Sequence, residues 1–321
     1  MLIEPSRSYD IIGDLHGCAN SLVELLQLLG YHRKAGVWQH SSRQALFLGD
    51  IIDRGAQIRE TLEIVYRMVE AGHAHCIMGN HEYYALAWHM SAPNETEQLF
   101  VRDHNQRHAR LWQETAEEFA QHPQEWNDYL DWFAQLPLYL DGERFRLVHA
   151  YWDNRLIKQV EQLFAGGRVT REFIQQSAIK DSFSYQVFNR LLRGINLPLP
   201  DGVTVQGSDG LLRRTFRAKF WPEAQTAKTY ADFAFQPDPI PEQVALKPLP
   251  KELLQQVEQH SNEQPILFVG HYWCKGEPSY IQPNLACLDY SAVNSGKLVA
   301  YRLDQETQLD ANKFVWVKGG L

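Results

Sequence analysis

ALFLGDIIDRG, residues 45–55, runs from four apolar residues straight into Gly49-Asp50 and on to Asp53-Arg54. An unbroken apolar run of that length reads as a strand buried on both faces. Its polar groups therefore stand where the strand should stop. Four other stretches repeat the arrangement: YDII (9–12) leads into Gly13-Asp14, CIM (76–78) into Gly79-Asn80, FRLV (145–148) into His149, and ILFV (266–269) into Gly270-His271. Between the early runs, SLVELLQLL (21–29) and IRETLEIVYRMV (58–69) carry apolar residues at helical spacing. Asn20 or Ser21 is the expected cap of the first helix. Strands alternating with helices predict β-α-β units, which bind ligands beyond the carboxyl ends of their strands. Five polar groups at five such ends predict one site.

The residue types say what the site holds. In GDLHG (13–17), Asp14 and His16 are two apart, so in extended backbone both face the same way and can meet one cation. GDIIDRG supplies Asp50, Asp53 and Arg54, and GNHE (79–82) supplies Asn80 and His81. Counting ligands gives Asp14 and His16 to one metal and Asn80, His149 and His271 to another. Asp50 can bridge, because a carboxylate has two oxygens. Mixed Asp, His and Asn ligands without cysteine suit two divalent ions, manganese first, with iron or zinc as alternatives. Such a pair clamps an in-line displacement at phosphorus. Arg54 can grip a phosphate with its planar fork. His81, with no metal left to bind, can protonate a leaving oxygen, with Asp53 orienting it. GDLHG alone reads equally as a turn and GNHE alone as a helix start; the weight lies in their ordered conjunction.

Bulk properties bound the reading. The chain has 321 residues, a formal charge of −8 and 44% hydrophobic residues, which is ordinary globular composition. The acidic balance argues against obligate nucleic-acid binding. Cys18, Cys76, Cys274 and Cys287 are scattered, which argues against a disulfide framework or a zinc ribbon and fits a reducing compartment. With no apolar leader and no run near the ~18 apolar residues of a membrane span, the expected location is the cytoplasm. His104 and His108 are spaced i,i+4 but read as a solvated helix face, and the Trp and Tyr residues of 112–139 read as core. Residues 82–135 read as mostly helical, followed by a helical stretch around 168–194 and strand candidates near 203–220. The proline-rich segment 236–250 reads as a surface loop, and 285–288, 297–303 and 313–317 as strands.

The three motifs resemble those of the calcineurin-like metallophosphoesterases, specifically the phosphoprotein-phosphatase branch. Leu288-Asp289-Tyr290 followed by Gly296-Lys297-Leu298 makes the tail similar to that of bacterial symmetrical diadenosine tetraphosphate hydrolases and related bacterial phosphatases. The resemblance covers roughly 9–149 and 265–303. It implies an α/β sandwich of two packed sheets flanked by helices, and it places His271 on the second metal with Asp50, Asn80 and His149. It also implies hydrolysis of a phosphomonoester or a nucleotide phosphoanhydride by metal-activated water. A protein serine/threonine phosphatase is the alternative, because Asp53-Arg54 is nearer to those enzymes. A non-catalytic scaffold on the same fold is the rival from another class. The chain is expected to form one catalytic domain over 1–321, with 151–264 as an insertion or cap. Within that insertion, 212–220 alternates like a strand and presents Arg213, Thr215, Arg217 and Lys219 on one face. Relatives of the branch carry a second phosphate-gripping arginine in this interval, which makes Arg213 and Arg217 candidate substrate contacts.

Overall fold

Strand Ser8–Ile12 holds the first sheet together. It pairs in parallel with Arg43–Phe47, which pairs in parallel with Ala74–Cys76, and it pairs antiparallel with Lys297–Leu303. Asp289–Tyr290 and Phe314–Lys318 complete six strands by pairing with Lys297–Leu303. The second sheet runs in the order Leu285–Cys287, Ile266–Val269, Phe145–Val148, Tyr139–Asp141, the first three parallel and the last antiparallel. This computed structural model describes residues 3–206, 212–222, 227–235 and 240–320. The chain divides into two compact units, Met1–Leu192 with Pro265–Leu321, and Arg193–Gln264.

Side-chain alternation joins the two sheets of the first unit. Tyr9, Ile11, Leu46, Leu48, Val299 and Tyr301 from the first sheet form one buried cluster with Phe145, Leu147, Ile266 and Phe268 from the second. Each such side chain contributes ~1.5–3 kcal/mol by leaving water. The helices flank this sandwich. Ile58–Glu70 packs against Ala74–Cys76 and buries Ile58, Leu62, Val65 and Met68, one helical stripe. Ala19–Leu28 packs against Phe314–Lys318 and buries Leu22, Leu25 and Leu26. The α/β sandwich read from the sequence is the architecture the chain adopts.

One cap differs from expectation. Helix Ala19–Leu28 starts directly after the GDLHG turn with Cys18 at its cap position and no side-chain cap. Asn20 and Ser21 are already inside the first turn. The Asn20 N–H donates instead to Gln57 Oε1 (3.1 Å), and Ser21 Oγ donates to the Lys318 carbonyl (3.2 Å). Tertiary neighbours thus satisfy what a local cap was expected to satisfy.

Arg43 ties three strands of the first sheet. It donates to the Asp10 carboxylate (2.9 and 3.0 Å), to Asp304 (2.5 Å), and to the carbonyls of Tyr9 (2.6 Å) and Leu303 (3.0 Å). Asp10 is fully buried, and its other cation is Arg302 at 3.2 Å. Arg43→Met should therefore lower stability by about 3 kcal/mol, towards the low end for a buried charge stripped of a partner because Arg302 remains. A denaturant midpoint within error of wild type would refute this.

Residues 80–135 contain helices Asn80–His89, Gln106–Leu111, Gln113–Phe119 and Pro123–Phe133. In the second unit, Ile195–Pro198 pairs antiparallel with Thr215–Ala218, and Val205–Gln206 with Leu212–Arg213. The run 212–220 keeps its alternation, with Phe216, Ala218 and Phe220 buried and Arg213, Arg217 and Lys219 half-buried. It is nevertheless two short strands with different partners rather than one. Residues 207–211 of the expected strand region and 236–239 of the expected loop lie outside the described residues; within 240–250 there is a short helix, Glu242–Ala245.

Candidate metal centre

The parallel strands end side by side, and the segments leaving them deliver the polar groups. Asp14 and His16 follow Ser8–Ile12, Asp50 to Arg54 follow Arg43–Phe47, and Asn80 and His81 open the helix after Ala74–Cys76. His149 and His271 follow the middle strands of the second sheet. To aim their side chains at one another, several of these residues adopt left-handed backbone: His16 (φ 43°), Asp50 (51°), Asp53 (68°), Arg54 (71°) and His271 (62°). None is glycine, so each costs about 1–3 kcal/mol that surrounding bonds must offset. Leu15 and His16 donate backbone N–H bonds to the Asp50 carbonyl (3.1 and 2.9 Å), zipping the first two segments together. The buried Glu82 carboxylate accepts from the N–H groups of Asp50, Ile51 and Gly79 (2.8, 2.8 and 2.9 Å), binding the second segment to the third. At Gly270 any β-carbon would collide with Asp14 Oδ1, so only glycine lets that strand end approach.

Asp50 lies at the centre. Its Oδ1 accepts from the His81 backbone N–H (2.9 Å), and its Oδ2 lies 3.4 Å from His149 Nε2 and 3.6 Å from His16 Nε2. Both histidines are held by their other nitrogen: His16 Nδ1 on the Ile52 carbonyl (2.9 Å), His149 Nδ1 on the Leu48 carbonyl (2.7 Å). A carbonyl accepts only from N–H, so Nδ1 carries a proton and Nε2, turned towards Asp50, is the nitrogen left for a cation. Metal-ligating histidines are oriented in this way. Asn80 Oδ1 lies 3.2 Å from His149 Nε2 and 2.7 Å from His271 Nδ1; turning the amide over would put its NH₂ there instead. In the first orientation an amide oxygen faces two ring nitrogens, a donor set that could hold one cation. His271 in turn donates its backbone N–H to Asp14 Oδ2 (3.1 Å).

Charge completes the fit. Burial would raise the Asp50 carboxyl, yet His149, His81 and His16 hold it well below the usual range. Burial would lower His149, yet the Asp50 and Asp14 carboxylates push it up to about 10. His16 is driven well below the ordinary imidazole value by burial and then by Arg54 and His81. Asp14 is driven well up by burial and by the nearby Asp289 and Asp50 carboxylates. Asp14 Oδ1 is buried with no hydrogen-bond partner among the described residues. Two divalent cations would relieve all of these conflicts together.

The geometry draws His16, Asp50 and His81 into one cluster and Asp50, His149 and His271 into another, the ligand atoms of each lying within 4.8 Å of one another. His81 is nonetheless committed elsewhere. Its Nδ1 lies 2.6 Å from Asp53 Oδ2, and its Nε2 lies 3.1 Å from Arg54 Nη2. The guanidinium can only donate, so Nδ1 carries the proton and donates to Asp53. Arg213 and Arg217 belong to the second unit, Arg193–Gln264. Sequence reasoning missed Glu82, and it quoted Asp289 without giving it a role. Asp289 is buried, and its carboxyl is raised by burial, with Ser291 N–H and Arg54 opposing and Asp50 adding to the rise. His104 is not on a helix face as expected: it precedes the helix and stacks against Trp88 (3.8 Å) and Phe100 (4.0 Å), ring centre to ring centre.

The chain belongs to the calcineurin-like phosphoesterase family, whose profile matches residues 8–287. Among its relatives, a bis(5′-nucleosyl)-tetraphosphatase PrpE (asymmetrical) of Oceanobacillus iheyensis is 51% identical over 73 residues, 22% of this chain and 29% of that protein. Another of the same name from Bacillus thuringiensis is 31% identical over 176 residues, 51% of this chain and 67% of that protein. Several of these matches thus span about 30% of the relative's length. The tail resembles symmetrical hydrolases, whereas these relatives carry the asymmetrical name. The cold-active protein-tyrosine phosphatase of a psychrophilic Shewanella shares the fold at a TM-score of 0.54 and 16% identity, over 99% of this chain and 83% of that one.

Proposed function

We propose that the chain is a cytoplasmic, dinuclear metal-dependent hydrolase of a small phosphorylated substrate, either a phosphomonoester or a nucleotide phosphoanhydride. The reading rests on one observation: Asp50 Oδ2 lies 3.4 and 3.6 Å from Nε2 of His149 and His16, so one carboxylate is within reach of both proposed ligand groups. Asp14, His16 and Asp50 would hold one divalent ion, and Asp50, Asn80, His149 and His271 the other. Manganese suits this nitrogen and oxygen set, with iron or zinc as alternatives. The ions, when bound, supply Lewis acidity at phosphorus and a water of lowered pKa. The chain supplies the rest. Arg54 is exposed beside the cluster, and its guanidinium can turn from His81 to a phosphate as substrate arrives. His81 Nε2, so released, can hold a proton and pass it to the leaving oxygen as the bond to phosphorus breaks, with Asp53 fixing the ring through Nδ1.

The names of the relatives favour a nucleotide polyphosphate. Asp53-Arg54, which resembles the protein phosphatases more closely, supports a protein serine/threonine phosphatase as the second reading. A panel of dinucleoside polyphosphates, nucleotides, 4-nitrophenyl phosphate and phosphopeptides, run on manganese-loaded chain, separates them. Turnover of a polyphosphate above the phosphopeptides is expected. A chain that binds two ions and turns over nothing is a scaffold, and the proposal falls. Arg213 and Arg217 are proposed as further phosphate contacts on their sequence alone. If Arg217→Ala leaves KM for long and short phosphates alike unchanged, they have no such role.

A further inference from the structure

Helix Gln113–Phe119 lies in a segment that carries none of the family's motifs, yet it grips the catalytic segment at both ends. Glu118 accepts the N–H groups of Ile58 and Arg59 (2.9 and 2.8 Å), the opening of the helix after GDIIDRG. One turn earlier on the same face, Thr115 meets Asp53 twice. Its Oγ1 donates to Asp53 Oδ1 at 2.5 Å and accepts the Asp53 backbone N–H at 3.2 Å. Thr115 is wholly buried and Asp53 nearly so. The remaining carboxylate oxygen, Oδ2, faces His81 Nδ1 at 2.6 Å.

We infer that Thr115 is a positioning residue for proton delivery, setting the Asp53 carboxylate so that Oδ2 orients the His81 imidazole. The chemistry supports a specific role beyond packing. A carboxylate free to rotate offers either oxygen in any direction, and its hydrogen bond then does not fix the ring. With Oδ1 held by the Thr115 hydroxyl and the backbone held by the same oxygen, one rotation of the carboxylate remains. Asp53 also sits in left-handed backbone (φ 68°) followed by Arg54 (φ 71°), so the segment needs an outside tether to keep this shape. Thr115 provides it at the residue that touches the acid. The methyl group alone could not, since both bonds run through Oγ1.

The inference rests on the proposed hydrolytic activity, so the experiment first establishes wild-type turnover of 4-nitrophenyl phosphate and of an alkyl phosphate on manganese-loaded protein. Absent turnover there defeats the functional reading and leaves nothing to position. Given turnover, Thr115→Val keeps the shape and removes the hydroxyl. It should lower kcat for the alkyl phosphate ~10- to 100-fold, because that leaving group needs the proton, and for the nitrophenyl ester less than ~3-fold. KM and bound manganese should stay as in wild type, and Thr115→Ser should restore most of the lost rate. Should the valine variant not fold, Thr115→Ala carries the same expectations at a helical position that favours alanine. Equal losses on both substrates, loss of manganese, or no rescue by serine would make Thr115 scaffold only. Wild-type rates in the valine or alanine variant would overturn the inference outright.

Discussion

Asp50→Asn should cut turnover at least ~100-fold and lower the content of both metals together, because in the proposed centre one carboxylate serves both sites. The substitution is almost isosteric, so the loss is chemical. Asn keeps an oxygen to accept the His81 backbone N–H at Oδ1 (2.9 Å), and the fold of the third segment should survive. The NH₂ group then replaces Oδ2, placing N–H donors against the lone pairs of His149 at 3.4 Å and His16 at 3.6 Å. Those donors would satisfy the two rings by hydrogen bonding and close the space a cation needs. Elemental analysis of dialysed protein beside steady-state kinetics checks both halves of the expectation. A variant that keeps two metals per chain at near-normal rate would remove Asp50 from the bridge.

His81→Asn separates proton transfer from metal binding. His81 has Asp53 on one nitrogen and Arg54 on the other, so its loss should leave metal content unchanged. Turnover should fall ~10²–10⁴-fold, with the greater loss on alkyl esters and the smaller on nitrophenyl esters, whose leaving oxygen needs little protonation. The dependence of rate on leaving-group pKa should steepen, since charge on that oxygen is no longer neutralised in the transition state. Equal losses across leaving groups would count against the acid role. Loss of one metal would place His81 with His16 and Asp50 as a ligand.

Much of this site was legible because its residues sit at places sequence marks clearly. A buried strand is a short apolar run, and Gly-Asp or Gly-His directly after it fixes both the end of the strand and the group delivered there. The resemblance then ordered the motifs. What was not legible depends on distant contacts. Thr115 reaches Asp53 across 62 positions from a helix whose sequence, QETAEEF, reads only as a helix. Glu82 belongs to a quoted motif and its bond from Gly79 N–H is local, but its partners Asp50 and Ile51 lie on another segment and appear only when the two meet. The capping of helix Ala19–Leu28 went to Gln57 for the same reason. In 212–220 alternation gave the buried face correctly and said nothing of pairing, so one expected strand became two.

Strand Ser8–Ile12 is made long before its antiparallel neighbour: Tyr9 is paired with Leu303. The second sheet waits likewise for Ile266–Val269 to lie beside Phe145–Val148. Contacts so remote in sequence make folding slow, because a long loop must close before any gain is realised. A growing chain on the ribosome therefore carries an open edge on Ser8–Ile12 until Lys297–Leu303 emerges, and in that interval it is exposed to aggregation. The same ordering would govern loading. Asp14, His16 and Asp50 emerge long before His271, so the proposed ligand set of the second cation is complete only once His271 has been made. Expression at lower temperature or with chaperones, followed by metal addition after release, should accordingly give a higher yield of active chain than metal supplied during synthesis.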